Sequence, residues 1–125
     1  MISSLRGRVL HFDVDTLVVD VGGVGFAVAV TTEVARSFHV GDAIGLHTRL
    51  VVREDALSLF GFAERDELVV FGQLLSVSGV GPKSALGILS AMSVDQISTA
   101  VSADDDAPFR KVSGIGPKTA KLIVV

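Results

Sequence analysis

Thirteen residues of this chain are written twice. Val77-Ser78-Gly79-Val80-Gly81-Pro82-Lys83-Ser84-Ala85-Leu86-Gly87-Ile88-Leu89 aligns without a gap on Val112-Ser113-Gly114-Ile115-Gly116-Pro117-Lys118-Thr119-Ala120-Lys121-Leu122-Ile123-Val124, at an offset of 35 residues. Eight of the thirteen positions are identical, and Val80/Ile115, Ser84/Thr119 and Leu89/Val124 preserve shape. Self-similarity of this kind marks one supersecondary unit used twice. The second half of the chain must therefore fold as a pair of equivalent copies.

The residue types say what each copy can do. Two glycines flanking one apolar residue allow backbone angles and a close approach that a Cβ would forbid, and they leave N–H groups pointing outward. Pro82 and Pro117 suit the first position of a helix, where a missing N–H costs nothing, so each loop opens onto a positive helix N-terminus. Lys83 and Lys118 add a mobile cation at that terminus, and the hydroxyls of Ser84 and Thr119 follow. Val80 and Ile115 are expected to turn inward and pin the loop to its own helices. The whole reads as an anion grip of the kind that holds phosphate. One copy alone could equally be a tight helix-to-helix turn, but a turn does not require lysine at the same helical position both times. A nucleotide-binding P-loop does not fit, because the four-residue spacing before Gly-Lys-Ser/Thr is missing and no strand of a βαβ unit precedes either loop.

Around the repeat, apolar spacing changes character near residue 63. Before it, Leu5 to Phe12, Thr16 to Val21, Gly25 to Val30, Ala43 to Val52 and Leu57 to Phe62 read as five short strands. They are broken at Asp13-Val14-Asp15, at Gly22-Gly23, by a short helix over Thr32 to Ser37, and at Arg53-Glu54-Asp55-Ala56. Five Gly-bent strands suit a small Greek-key barrel of the OB type. From Glu64 the spacing is helical: Leu68, Phe71, Leu74 and Leu75 lie on one face, a helix follows over Ser84 to Met92, and another over Val94 to Val101 with Ser93 placed to cap it. Asp104-Asp105-Asp106 reads as a solvated loop. The expectation is an α+β protein, with a five-stranded OB-type barrel over residues 1–63 and a tandem helical domain over 64–125.

Bulk properties exclude several classes of function. No run of about 18 apolar residues exists to span a membrane, and no apolar stretch follows Arg6 and Arg8 as a secretory signal would require. Cysteine is absent, which removes disulfide and thiolate chemistry and fits a cytoplasmic location. His11, His39 and His47 have no metal-type spacing, and no Ser/His/Asp arrangement can be nominated, so no catalytic residue, metal or cofactor is expected. Net charge is −3, with eleven Lys and Arg against fourteen Asp and Glu. A DNA-binding chain of this charge must sort its cations onto one surface or grip phosphates with backbone amides.

Val77 to Leu89 and its copy resemble paired helix-hairpin-helix motifs, which bind DNA without reading sequence. Several families share that module, and the first half separates them. Met1-Ile2, Leu5-Arg6-Gly7, Val21-Gly22-Gly23-Val24-Gly25-Phe26, and Val51-Val52-Arg53-Glu54-Asp55-Ala56 with Leu59-Phe60-Gly61-Phe62 resemble, in order and spacing, the RuvA family of bacterial Holliday-junction-binding proteins. The resemblance covers the entire chain. It implies an OB barrel before two helix-hairpin-helix motifs, and a homotetramer, one or two to a junction, that holds four-way DNA open. A RuvB-type hexameric ATPase then drives branch migration, and a RuvC-type resolvase acts on the same junction, in recombination and DNA repair. It assigns phosphate contacts to Gly79, Gly81, Lys83, Ser84, Gly114, Gly116, Lys118 and Thr119. It also turns Glu54 and Asp55, otherwise a plain polar turn, into an acidic pin where strands cross, with repulsion of phosphates as its means of action.

Two departures accompany the resemblance. Relatives often carry a basic residue where Pro117 stands, which leaves Lys118 and Lys121 as the cations of the second loop. The family also continues through a flexible linker into a small C-terminal domain that contacts the motor, whereas this sequence ends at Val125 inside a helix, so that domain is expected to be absent from the chain. Two other classes of function fit the residues less well. A base-excision glycosylase pairs a similar hairpin with a catalytic Lys or Asp in a larger all-helical body, which a five-strand barrel does not match. A protein-interaction module would not need the two lysines.

Overall fold

A computed structural model describes residues 1–125. The chain forms two compact units, Met1–Leu68 and Val69–Val125. In the first, five strands run as β1 (Ser4–Phe12), β2 (Thr16–Val21), β3 (Val24–Ala29), β4 (Ala43–Val52) and β5 (Leu57–Phe62), with helix α1 (Thr32–Ser37) between β3 and β4. They close into a barrel in the order β1-β2-β3-β5-β4. Every neighbouring pair is antiparallel except β3 with β5, which is parallel. This is the Greek-key closure of an OB-type barrel, in which no strand edge is left open.

Alternation builds the interior. Leu5 and Val9 of β1, Leu17 and Val19 of β2, Val28 of β3, Ile44 and Leu46 of β4 and Leu59 of β5 point into one cluster, joined by Val34 and Ala35 of α1. The Gly22-Gly23 break is a two-residue hairpin turn with φ of 60° and 93°, and the Gly23 amide donates to Asp20 Oδ1 at 2.9 Å. Positive φ at both central residues is what such a turn demands. Because Val21 pairs with Val24 across it, β3 begins at Val24, one residue earlier than the apolar pattern alone indicates. Thr31 caps α1 by accepting from the Val34 amide. Buried Thr48 donates its hydroxyl to Ile2 O at 2.7 Å and so ties the N-terminus to β4.

The rest of the chain is helical: α2 (Arg65–Leu75), α3 (Pro82–Ala91), α4 (Val94–Ser102), α5 (Ala107–Arg110) and α6 (Pro117–Val124). Helix α3 starts at Pro82, the first helical position expected of that proline, and the apolar run from Ser84 continues within it. Helix α4 carries a full capping box, in which Ser93 Oγ accepts from the Gln96 amide and Gln96 Oε1 accepts from the Ser93 amide. The four-residue α5 was not visible in the apolar spacing. It buries Phe109 and delivers the chain into the second loop. Helix α6 packs on α4 and α5. Within Val69–Val125 the core is drawn from both repeats alike, with Val80, Ala85 and Ile88 matched by Ile115, Ala120 and Ile123.

Candidate nucleic-acid interface

The two loops have the same backbone. Gly79 has φ of 90° and Gly114 of 88°. Gly81 lies at φ −89°, ψ 173° and Gly116 at φ −83°, ψ 173°, each as the N-cap of its helix. The hydrogen bonds repeat as well. Val80 N–H donates to Val77 O and Ile115 N–H to Val112 O, both at 3.1 Å, while Ala85 N–H reaches Gly81 O and Ala120 N–H reaches Gly116 O, both at 2.9 Å. The apolar residue between the glycines is buried in both copies, at 7% exposure for Val80 and 5% for Ile115, as its anchoring role requires.

What these bonds leave over defines the site. The first helical N–H groups have no acceptor within their own helix, and neither α3 nor α6 has a side-chain cap. The amides of Lys83 and Ser84, and of Lys118 and Thr119, therefore end the helices as unpaired donors at the positive end of the helix dipole. Lys83 and Lys118 are exposed, and none of the ion pairs in the chain involves either of them. Two cradles of amides, each with one free ammonium, can each take one anionic oxygen cluster such as a phosphate.

The glycines divide by what enforces them. A Cβ on Gly79 would stand 2.8 Å from Thr119 Oγ1, and one on Gly114 would stand 2.6 Å from Ser84 Oγ. Both positions also have positive φ, which disfavours any L side chain. Gly116 differs, because its φ is ordinary and a Cβ there would meet nothing within 4 Å. Nothing inside the protein excludes a side chain at Gly116. The hydroxyls of Ser84 and Thr119, expected among the phosphate ligands, face the glycine of the opposite loop, while the amides of the same two residues remain free. The sequence carries no local sign of this cross-contact, which links residues 40 positions apart (Gly79 and Thr119) and 30 positions apart (Ser84 and Gly114). Sequence reasoning also passed over exposed Lys111, which opens the second loop and has no counterpart cation at Ser76 in the first.

Charge is sorted between the units. Residues 69–125 hold five Lys and Arg against four Asp, while residues 1–68 hold six Arg against ten Asp and Glu. Glu54 and Asp55 are exposed at the tip of the β4–β5 hairpin, which Arg53 N–H closes on Ala56 O at 2.8 Å. At the base of the hairpin Val52 and Leu57 pair across the strands and stand 67% and 72% exposed. Burial pushes the Glu67 pKa up, the Glu64 amide it accepts from pulls it partly back, and Asp66, Glu33 and Glu64 add like-charge repulsion. No helix is long and apolar enough to cross a membrane.

A closed five-stranded barrel followed by two matched hairpins on helix N-termini defines the class, an OB-barrel protein with a tandem helix-hairpin-helix unit. Residues 1–61 match the RuvA N terminal domain, and residues 71–125 match the SAM-like helix-hairpin-helix tandem. Over all 125 residues the chain is 63% identical to the Holliday junction branch migration complex subunit RuvA of Leifsonia xyli and 54% identical to that of Clavibacter michiganensis, covering 60% and 58% of those proteins. The protein of the same name from Pseudomonas syringae is 44% identical over 126 aligned residues, and 62% of it is covered. The chain belongs to the RuvA family. It spans about 60% of the length of the curated relatives it matches.

Proposed function

We propose that this chain binds four-way DNA junctions by their backbones, independently of sequence, and holds them open for branch migration in recombination and repair. The observation that carries the proposal is the duplicated loop: two copies with the same dihedrals and hydrogen bonds, each ending in unpaired helix amides beside an unpaired lysine. Phosphate is held by the amides of Gly79, Gly81, Lys83 and Ser84 in one loop and of Gly114, Gly116, Lys118 and Thr119 in the other, with the two ammonium groups neutralising charge. Contacts of this type fix register on the backbone and carry no base information. Glu54 and Asp55, solvated at a hairpin tip, serve as an acidic pin that repels phosphate where strands cross.

The chain acts as a non-catalytic, cytoplasmic subunit. It assembles as a homotetramer and works with a RuvB-type motor, which hydrolyses the ATP, and a RuvC-type resolvase. The name shared by the relatives, a branch migration complex subunit, supports a role within a larger complex. A native gel comparing a synthetic four-way junction with linear duplex of the same sequence, without magnesium and at moderate salt, tests the proposal. Strong preference for the junction is expected. Equal weak binding would reduce the chain to a generic helix-hairpin-helix module, and no binding would favour a protein-interaction role.

A further inference from the structure

The two loops touch each other, and they do so reciprocally. Thr119 of the second copy lies against Gly79 of the first, and Ser84 of the first lies against Gly114 of the second, so closely that a Cβ on either glycine would meet a hydroxyl oxygen at 2.8 Å or 2.6 Å. Each of these residues has two faces. Its amide is a free donor at the N-terminus of its own helix, and its side chain rests on the positive-φ glycine of the other loop. Both residues are half-buried, unlike the exposed lysines beside them. The contact also accounts for the exchange between the repeats, since serine and threonine place the same oxygen at the same position.

From this arrangement we infer that Ser84 and Thr119 are positioning residues forming a two-way clasp. The clasp sets the distance between the two phosphate cradles, so that both loops engage one duplex at once. The inference rests on the phosphate reading of the loops. Rigid linkage makes the second contact intramolecular and raises affinity without any new contact to DNA. Without the clasp each cradle keeps its amides and lysine, but the pair loses its fixed spacing.

Counterion release separates this role from that of a direct ligand. A neutral hydroxyl that simply bonds to phosphate releases no counterion, so its loss lowers affinity and leaves the salt dependence unchanged. A clasp that keeps two lysines seated together changes the slope. The Ser84→Ala/Thr119→Ala double variant is expected to bind linear duplex on the order of tenfold more weakly, with the slope of log K against log salt shallower by about 0.9, the contribution of one phosphate. Exchanging the residues between the copies, Ser84→Thr with Thr119→Ser, should restore both affinity and slope.

A measurement without DNA tests the clasp on its own. Hydrogen exchange followed by NMR should quicken at the Val80 amide, bonded to Val77 O, in Thr119→Ala and at the Ile115 amide, bonded to Val112 O, in Ser84→Ala, each effect crossing to the opposite loop. Weaker binding at an unchanged slope would make the hydroxyls direct ligands and overturn the clasp. Exchange that changes only in the mutated loop would overturn it too. If the unaltered chain fails to bind duplex, the phosphate reading falls, and cross-loop exchange still decides the clasp.

Discussion

Gly79→Ala and Gly116→Ala should fail in opposite ways, although both replace a glycine of the same duplicated loop. At Gly79 the backbone has φ of 90°, and the new methyl would stand 2.8 Å from Thr119 Oγ1. Left-handed backbone costs an L residue about 1–2 kcal/mol, and forcing a neighbour aside in a packed site adds about 1–3 kcal/mol. A destabilisation on the order of 2–4 kcal/mol follows, and for a domain of this size each kcal/mol lowers Tm by about 4–8 °C. At Gly116 the φ of −83° suits any residue and the methyl meets nothing within 4 Å. Stability there should hold, or rise by about 0.5 kcal/mol as the unfolded chain loses freedom. On the proposed reading, the same methyl stands where a phosphate approaches the helix amides. Loss of one charge-assisted hydrogen bond costs about 1.5–3 kcal/mol, a tenfold or greater loss of affinity. Thermal melts at 222 nm and fluorescence anisotropy on a labelled four-way junction read the two quantities separately. A Gly116→Ala protein that melts normally and binds normally would refute the argument that this glycine is kept clear for a ligand.

Other perturbations reach different parts of the molecule. Lys83→Glu with Lys118→Glu should weaken binding to all duplex sequences alike and flatten the salt dependence, as titrations of unrelated sequences at several salt concentrations will show. Glu54→Asn with Asp55→Asn should keep or raise junction affinity while slowing strand separation followed with a base-pairing fluorophore, and a loss of affinity would mark the pair as structural. Glu67→Gln should raise the melting temperature at pH 7 and leave it unchanged at pH 4. Burial raises the carboxyl pKa in the folded state, so the fold favours the protonated form, and the stability it contributes at low pH is lost as pH climbs through that raised value. Ser93→Ala breaks the capping box of α4 and should cost about 1 kcal/mol in denaturant melts.

Much of this architecture is legible in the sequence because its signals are local. Alternation marks the five strands, Gly22-Gly23 marks a hairpin, Ser93 with Gln96 marks a helix start, and the gapless repeat forces two equivalent loops. What escapes is set by longer-range physics. Helix α5 is only four residues long, too short for any period, and exists because Phe109 is buried while the chain turns into the second loop. The first compact unit runs on to Leu68, past the change in composition near residue 63, because unit boundaries follow contacts and composition follows exposure. That Gly79 and Gly114 need special backbone angles is readable from residue type. Their separate reasons, a positive φ and a hydroxyl from the opposite copy, appear only in three dimensions.

Net charge of −3 looks like an obstacle to DNA binding, and its distribution removes the difficulty. Long-range attraction between a protein and DNA decays within about 8–10 Å at physiological salt, so a phosphate at either cradle responds to the free ammonium and helix dipole within reach, and the chain total hardly matters. The helical residues 69–125 are net positive, and the excess acid belongs to residues 1–68, with Glu54 and Asp55 exposed at a hairpin tip. An architecture that grips with fixed amides needs few cations, because the dipoles of two helix N-termini and their unpaired N–H groups are paid for once, in folding. On the proposed reading, Glu54 and Asp55 repel any phosphate that comes near their own hairpin tip. Neutralising them would broaden binding to other DNA forms, so selectivity for the junction over linear duplex should fall even where total affinity rises.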